Sequence, residues 1–317
     1  MNDPLIILCP PRSFSSVVST IIGEHPQLYG FPELHLFGGD TVDQIIKREA
    51  KAGNPAPAGL LRTLAQEHDG IQSTKTILKA SIWLNERRHW STKKLMDYLL
   101  ELISPRIGVE KSPNTSRNKR FLERAYAMFP KAYYLHLTRH PVSSRKSIQE
   151  FWEQKKEKKQ RKMTSIKTGL DGMFLWYYMH NNILEFTQSL PTGQTIRVKG
   201  EDILSEPEVY LPQLAQWLGL RIDAEAIEAM MHPENSSYAY VGPSPARGGN
   251  DPKFMRNPKM RRGKVKEPSL KYFLEHQDLK WVSEEIKEIL PESTFELISE
   301  QNFAEEITKM ANLMGYY

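Results

Sequence analysis

The sequence predicts an α/β fold: a parallel sheet covered by helices on both faces, in one domain spanning 1–317. Three observations carry this. Four short, largely apolar segments, 5–9, 106–109, 132–138 and 195–199, are each followed by a helical pattern, and strands alternating with helices imply parallel βαβ units. The first segment, Leu5 to Cys9, is apolar at every position, as a strand buried on both faces requires. The first three segments run into charge, at Arg12, Glu110-Lys111 and Arg139, and ligands of such sheets sit beyond the carboxyl ends of the strands.

Taken in order, Pro10 and Pro11 stop the first strand. Ser13, Ser15 and Ser16 can each cap a helix whose stripe is Val17, Val18, Ile21 and Ile22 and which Gly23 ends. A helix start presents free N–H groups and positive dipole charge, so Arg12 and these serines suit a phosphate or sulfate; an ordinary capped helix beside a surface arginine has the same pattern. Residues 25–39 are turn-rich and hold Glu33 and His35 among Phe31, Leu34, Leu36 and Phe37. Either Glu33 is an acid set among apolar neighbours for proton transfer, or both residues turn outward into water. Residues 41–104 read as a helical insertion over one end of the sheet, with helices at Thr41 to Ala52, Gly59 to His68, Ser73 to Arg88 and Thr92 to Ile103, the last capped by threonine. No chemistry is expected there. Further helices are expected from about Ser116 to Met128, from Pro141 with Ser147 on its second turn, from Leu170 to Leu190, and within Glu201 to Leu220. Residues 242–263 are too broken by Gly and Pro for regular structure, yet they carry Arg247, Lys253 and Arg256 among other cations, as a loop closing over phosphate would. Helices at about 279–289 and 292–313 complete the chain.

Composition narrows the function. At 39% hydrophobic residues the chain can bury a substantial core. No apolar run approaches the roughly 20 residues of a membrane span, so a soluble, cytoplasmic protein without a membrane partner is expected. The single cysteine, Cys9, excludes an internal disulfide, and its place at a strand end suits a buried structural thiol. The net charge is +5, and Lys155 to Lys162 holds six basic residues against one acid. That basic segment at 155–162 suits a solvated helix face or a mobile lid over an anionic ligand; nucleic-acid binding lacks the interleaved aromatics it needs. Arg12, Lys111 and Arg139, converging from three strand ends, would be costly to bury together without an anionic ligand.

Four segments resemble the sulfotransferases that use 3′-phosphoadenosine 5′-phosphosulfate (PAPS). Pro11-Arg12-Ser13-Phe14-Ser15-Ser16 is similar to their 5′-phosphosulfate loop, and Tyr134 to Pro141 with Ser147 to their 3′-phosphate motif. Glu201 to Pro207 looks like the segment after their fourth strand, and Arg247 to Phe254 like their late cofactor-closing loop. Phe31 to Leu36 and Glu110 to Pro113 narrow the resemblance to bacterial and cyanobacterial sulfotransferases of polyketide and other small-molecule pathways. The resemblance implies a P-loop-like fold, PAPS as donor, adenosine 3′,5′-bisphosphate as product, no metal, and a small-molecule acceptor whose hydroxyl, less readily an amine, is sulfated. It implies that Arg12, Ser13, Ser15 and Ser16, with Phe14 in the same loop, hold the 5′-phosphosulfate; that Arg139 and Ser147 hold the 3′-phosphate; and that Arg247, Gly248 and Gly249 help close over it. Glu33 is the favoured base and His35 the other candidate, with Lys111 steadying the transferring group.

Two positions depart from the family pattern. Phe14 stands where relatives usually have glycine, so the loop is expected not to adopt positive φ there freely, and the ring to turn toward the acceptor pocket. Gly200 stands where many have a tyrosine near adenine. The rival readings are an ATP-dependent small-molecule kinase, for which no Gly-x-x-x-x-Gly-Lys run is present, and a non-catalytic nucleotide-binding protein, which would need neither Glu33 nor Lys111.

Overall fold

Five strands, β1 (Leu5–Leu8), β2 (Leu28–Gly30), β3 (Ile107–Glu110), β4 (Tyr133–Thr138) and β5 (Thr195–Lys199), lie in the order β2-β3-β1-β4-β5, every pair parallel. They belong to a computed structural model that describes residues 3–54, 57–160, 171–263, 265, 267–276 and 299–317, the side chains of 154–160 excepted. β2 was not expected: three residues inside the turn-rich 25–39 segment pair with the outer side of β3, from Leu28↔Ile107 to Gly30↔Val109. A strand this short shows no period.

The helices follow as the alternation requires. α1 (Ser15–Gly23) leaves β1, and α2 (Val42–Lys51), α3 (Ala58–Asp69), α4 (Thr74–Glu86) and α5 (Thr92–Leu102) form the insertion. α6 (Lys119–Met128), α7 (Pro141–Gln160) and α8 (Gly172–Gln188) connect the next strands. α9 (Gly200–Ser205), α10 (Pro207–Trp217), α11 (Ala224–Met230), α12 (Pro252–Arg256), α13 (Leu270–His276) and α14 (Phe303–Leu313) come after β5. The period-two alternation of the strands splits the core between two faces. Ile6, Leu8 and Tyr134 pack on one side with the insertion and α6, while Leu5, Ile7, Cys9, Leu135 and Leu137 pack on the other with α1 and α9–α11. Cys9 is buried as expected, and that burial pushes its thiol up to about 12.

Several boundaries differ from expectation. α5 is capped by Ser91, whose Oγ accepts from the Lys94 N–H at 3.1 Å. Thr92 instead donates to the Gly39 carbonyl at 2.8 Å, tying the insertion to the 33–39 segment. The broken stretch 242–263 does contain a short helix, α12, capped by Asp251 with Pro252 in its first turn. Of the helix expected at 292–313, residues 292–298 lie outside the described residues, and α14 starts at Phe303 after a turn in which the Ser299 N–H donates to Asn302 Oδ1 at 2.6 Å. The helix expected at 279–289 lies outside the described residues. Of the basic run, 155–160 continue α7, while their side chains and residues 161–162 lie outside what is described. Among the described residues no helix is long and apolar enough to cross a membrane.

The central position of β1 sets a stability prediction. Ile7 is fully buried and Ile82, on α4, is 63% exposed. Ile7→Ala is expected to lose about 2–5 kcal/mol and Ile82→Ala less than about 0.5 kcal/mol in urea unfolding; similar losses would contradict this account of the core.

Candidate functional site

The chain leaves β1 toward β2 and β3 and leaves β4 toward β5, so a crevice opens where the direction reverses, beyond the carboxyl ends of β1 and β4. A cleft of about 1300 Å³ lies there, lined by the 11–17 loop, Glu33, His35, Arg139, Ser147 and the 245–254 loop. Eight Lys and Arg residues against four acids line it, which favours an anionic occupant.

The β1–α1 loop turns through two left-handed residues, Arg12 (φ 68°) and Phe14 (φ 60°), each costing about 1–2 kcal/mol for a residue with a β-carbon. Positive φ at Phe14 is therefore present, contrary to the sequence expectation. Phe14 occupies the N-cap position of α1 with no side-chain cap, so none of Ser13, Ser15 and Ser16 caps the helix. Ser16 Oγ instead accepts from Lys111 Nζ at 3.1 Å and from the Asp251 N–H at 2.9 Å. Ser13 Oγ is buried without a partner among the described residues, and the first turn of any helix has N–H groups with no intrahelical acceptor.

At the end of β4 the main chain of Arg139 is held on both sides. Its carbonyl accepts from Trp176 Nε1 at 2.8 Å, and the next N–H, of His140, donates to Glu201 Oε1 at 2.9 Å. Glu201 is itself held by the Tyr316 hydroxyl at 3.1 Å. The Arg139 guanidinium donates to the Arg12 carbonyl at 2.6 Å, while its Nε is buried without a partner among the described residues. Ser147 Oγ accepts from Arg12 Nε at 3.1 Å, so Ser147 sits on Arg12 rather than on Arg139. Burial pulls both guanidinium groups below their ordinary pKa, the direction that an anion would oppose.

Lys111 is fully buried at the end of β3, and its three N–H donors go to Glu33 Oε1 (2.7 Å), Ser16 Oγ (3.1 Å) and Asn250 Oδ1 (3.2 Å). It stands behind Glu33 rather than in the cleft. The other Glu33 oxygen lies 3.5 Å from His35 Nε2. His35 is left-handed (φ 57°), its N–H donates to Ser112 Oγ at 3.0 Å, and Ser112 donates to Glu110 Oε1. Glu110 is completely buried, and burial pushes it up to about 7 against the opposing pull of Ser112, Lys111 and the Leu34 N–H.

The late loop closes this arrangement from above. Gly249, at φ 106°, aims its carbonyl at the Glu33 N–H, 2.7 Å away. Gly248 gives its carbonyl to Arg62 at 3.0 Å, and Arg247 is exposed at the cleft edge. Asp251 pairs with Arg12.

The structure thus brings together all the expected site residues but reassigns some of their partners. Of the three converging cations, Lys111 and Arg12 are paired with Glu33 and Asp251; only Arg139 has no carboxylate partner among the described residues. The Phe14 ring lies against the Arg139 guanidinium. Asn250, Asp251 and Ser112 lie in segments that the resemblance singled out but had no individual role there, and Arg62 had no expected role. The Asp251-Pro252 pair is a readable helix start, whereas Arg62, on an insertion expected to hold no chemistry, gave no signal. Arg62 is buried, bonded to Gln72 Oε1 and to the Tyr240 and Gly248 carbonyls, and drawn down to about 10 by burial. Unpartnered Ser13 Oγ and Arg139 Nε beside Arg12 and the α1 start are fitted to a multiply charged phosphate or sulfate ligand.

The chain matches the model of the sulfotransferase family over residues 4–224. No curated protein sequence matches it. Among solved structures it is similar to a sulfotransferase domain from the curacin biosynthetic pathway (TM-score 0.69, 21% identity, covering 100% of this chain and 99% of that one). It is also similar to the sulfotransferase domain of the Synechococcus PCC 7002 olefin synthase (TM-score 0.66, 22% identity, 97% and 94%). At these identities the likeness to solved structures concerns the fold.

Glu110 sets a pH signature. With its folded pKa raised to about 7 from an ordinary value of 4.5, the native state holds a proton that the unfolded chain has released. Its contribution to stability is therefore present below about pH 4.5 and is lost as pH rises through about 7. Glu110→Gln is expected to flatten that part of the urea-midpoint profile relative to the parent chain; parallel profiles would show that Glu110 is ionised in the fold.

Proposed function

Because this chain belongs to the sulfotransferase family, we propose that it moves the sulfuryl group of PAPS to a hydroxyl of a small-molecule acceptor, with Glu33 as general base. What carries the reading is one juxtaposition: the Arg12–Arg139–Ser147 cluster and the start of α1 face the same cleft as the Glu33–His35 pair. A binding protein needs the first set only. When bound, PAPS supplies an activated sulfuryl group, whose bond to the bridging phosphate oxygen breaks as the acceptor oxygen bonds to sulfur.

Arg12, Ser13, Ser15, Ser16 and the first-turn N–H groups of α1 hold the 5′ end and meet the charge left on the phosphate. Arg139 holds the 3′-phosphate, with Ser147 supporting it through Arg12. Arg247, Gly248 and Gly249 cover the mouth. Glu33 takes the acceptor proton on Oε2, since Oε1 is held by Lys111; Lys111 serves by orienting Glu33 instead of touching the sulfuryl group. His35, 3.5 Å from that free oxygen, is the alternative base. The reading places the enzyme in the cytoplasm with no nucleic-acid partner, in keeping with its charge pattern.

Two outcomes test it. Adenosine 3′,5′-bisphosphate without magnesium is expected to raise the melting temperature, by the equivalent of about 2.7 kcal/mol at roughly 100 times its Kd; a rise only with ATP and magnesium would favour a kinase. With labelled PAPS and a panel of hydroxylated small molecules, Glu33→Gln, whose amide oxygen can still accept from Lys111, is expected to cut turnover by about 10² to 10⁴ while the folded fraction keeps its bisphosphate affinity nearly unchanged. If His35→Ala abolishes turnover and Glu33→Gln does not, the base is His35.

A further inference from the structure

Phe14 holds a backbone conformation that a β-carbon disfavours and glycine adopts freely. A bulky side chain kept there has its reason in its surroundings, and the ring touches two things that account for it. The Arg139 guanidinium carbon lies 4.2 Å from the ring centroid. At Gly200, the first residue of α9, an added β-carbon would come within 2.7 Å of Phe14 Cδ2 and 3.3 Å of its Cβ. The ring therefore fills space that exists because residue 200 has no side chain.

Arg139 needs such a support. Among the described residues its guanidinium has one hydrogen bond to protein, to the Arg12 carbonyl at 2.6 Å. Its Nε is buried without a partner, and no carboxylate pairs with it among the described residues. It lines the cleft. A carboxylate placed beside it would fix the cation and also neutralise it; an aromatic face attracts and orients a guanidinium while leaving its charge and its N–H groups for a ligand. Arg12 faces the same cleft and differs in being paired with a carboxylate, Asp251, in addition to lying 5.5 Å from the Phe151 ring centroid.

We propose that Phe14 is a positioning residue for Arg139, holding the guanidinium toward the 3′-phosphate of the donor, and that Phe14 and Gly200 form one interlocking unit, so that phenylalanine at 14 requires glycine at 200. The ligand named here rests on the sulfotransferase reading; the packing does not.

The test is a set of variants of the full chain, Phe14→Leu, Phe14→Gly, Gly200→Ala and Phe14→Gly with Gly200→Ala. Each is titrated by calorimetry with adenosine 3′,5′-bisphosphate and with adenosine 5′-phosphate, and each is melted without ligand. Phe14→Leu keeps apolar bulk and removes the π face. It is expected to weaken the bisphosphate about 5- to 30-fold and the monophosphate less than about 2-fold, a selectivity that a merely structural role would not produce. Gly200→Ala is expected to lower the melting temperature in the parent chain and much less in Phe14→Gly, where the ring is gone. Equal losses for both nucleotides would overturn the positioning role. Additive effects of the changes at 14 and 200 would overturn the interlock. A parent chain that binds neither nucleotide would overturn the sulfotransferase reading and the positioning role with it, while the melting cycle would still decide whether Phe14 and Gly200 act as one unit.

Discussion

The buried Lys111 ammonium is the contact on which the site depends. Its three bonds reach Ser16 on α1, Glu33 in the 31–35 segment and Asn250 in the late loop, so one charge at the end of β3 gathers three stretches that are remote in sequence. A buried cation with all its donors satisfied by a carboxylate and two polar groups is tolerated; removing the carboxylate leaves an uncompensated charge in a low-dielectric interior, at a cost of about 3–5 kcal/mol. The geometry of the cleft follows from this. Glu33 is held by one oxygen and free at the other, α1 is fixed by its second residue, and Asn250 brings Asp251 within reach of Arg12.

A second set of contacts keeps the opposite wall both rigid and electrically simple. Arg139 is held through its main chain by Trp176 and Glu201, and the histidines near it are neutral: burial draws His136 down to about 3 and His140 to about 4. Positive charge at this end of the cleft therefore comes from arginine and is insensitive to pH in the neutral range. Arg62 plays the corresponding part for the late loop, joining the insertion to Tyr240 and Gly248. The insertion is thus part of the site's scaffold, although it contributes no group to the proposed chemistry.

The alternation of apolar strands with helices was readable because each of the four expected strands is long enough to show its character, and it placed Arg12, Lys111 and Arg139 just beyond the carboxyl ends of β1, β3 and β4; Glu33 and His35 came instead from the turn-rich 25–39 segment. β2 was not readable, since Leu28-Tyr29-Gly30 takes its identity from pairing with β3. Nor was the pairing of the cations: the carboxylates that compensate Lys111 and Arg12 come from positions 33 and 251, and sequence distance conceals them. Local steric preference misled at Phe14, where tertiary contacts hold a conformation that the residue would not choose alone. Arg62 sits in a helix read from the sequence as holding no chemistry, and only the fold shows it buried.

The burial of Cys9 makes the sheet observable from outside. The chain has one cysteine, completely covered in the fold and with its thiol held well above the neutral range, so an alkylating reagent finds no thiolate to attack while β1 is in place. Modification of this position under native conditions would count the openings that detach the centre of the sheet from its neighbours. A cysteine introduced on the surface, by contrast, could carry a fluorophore or spin label without competition from the interior thiol.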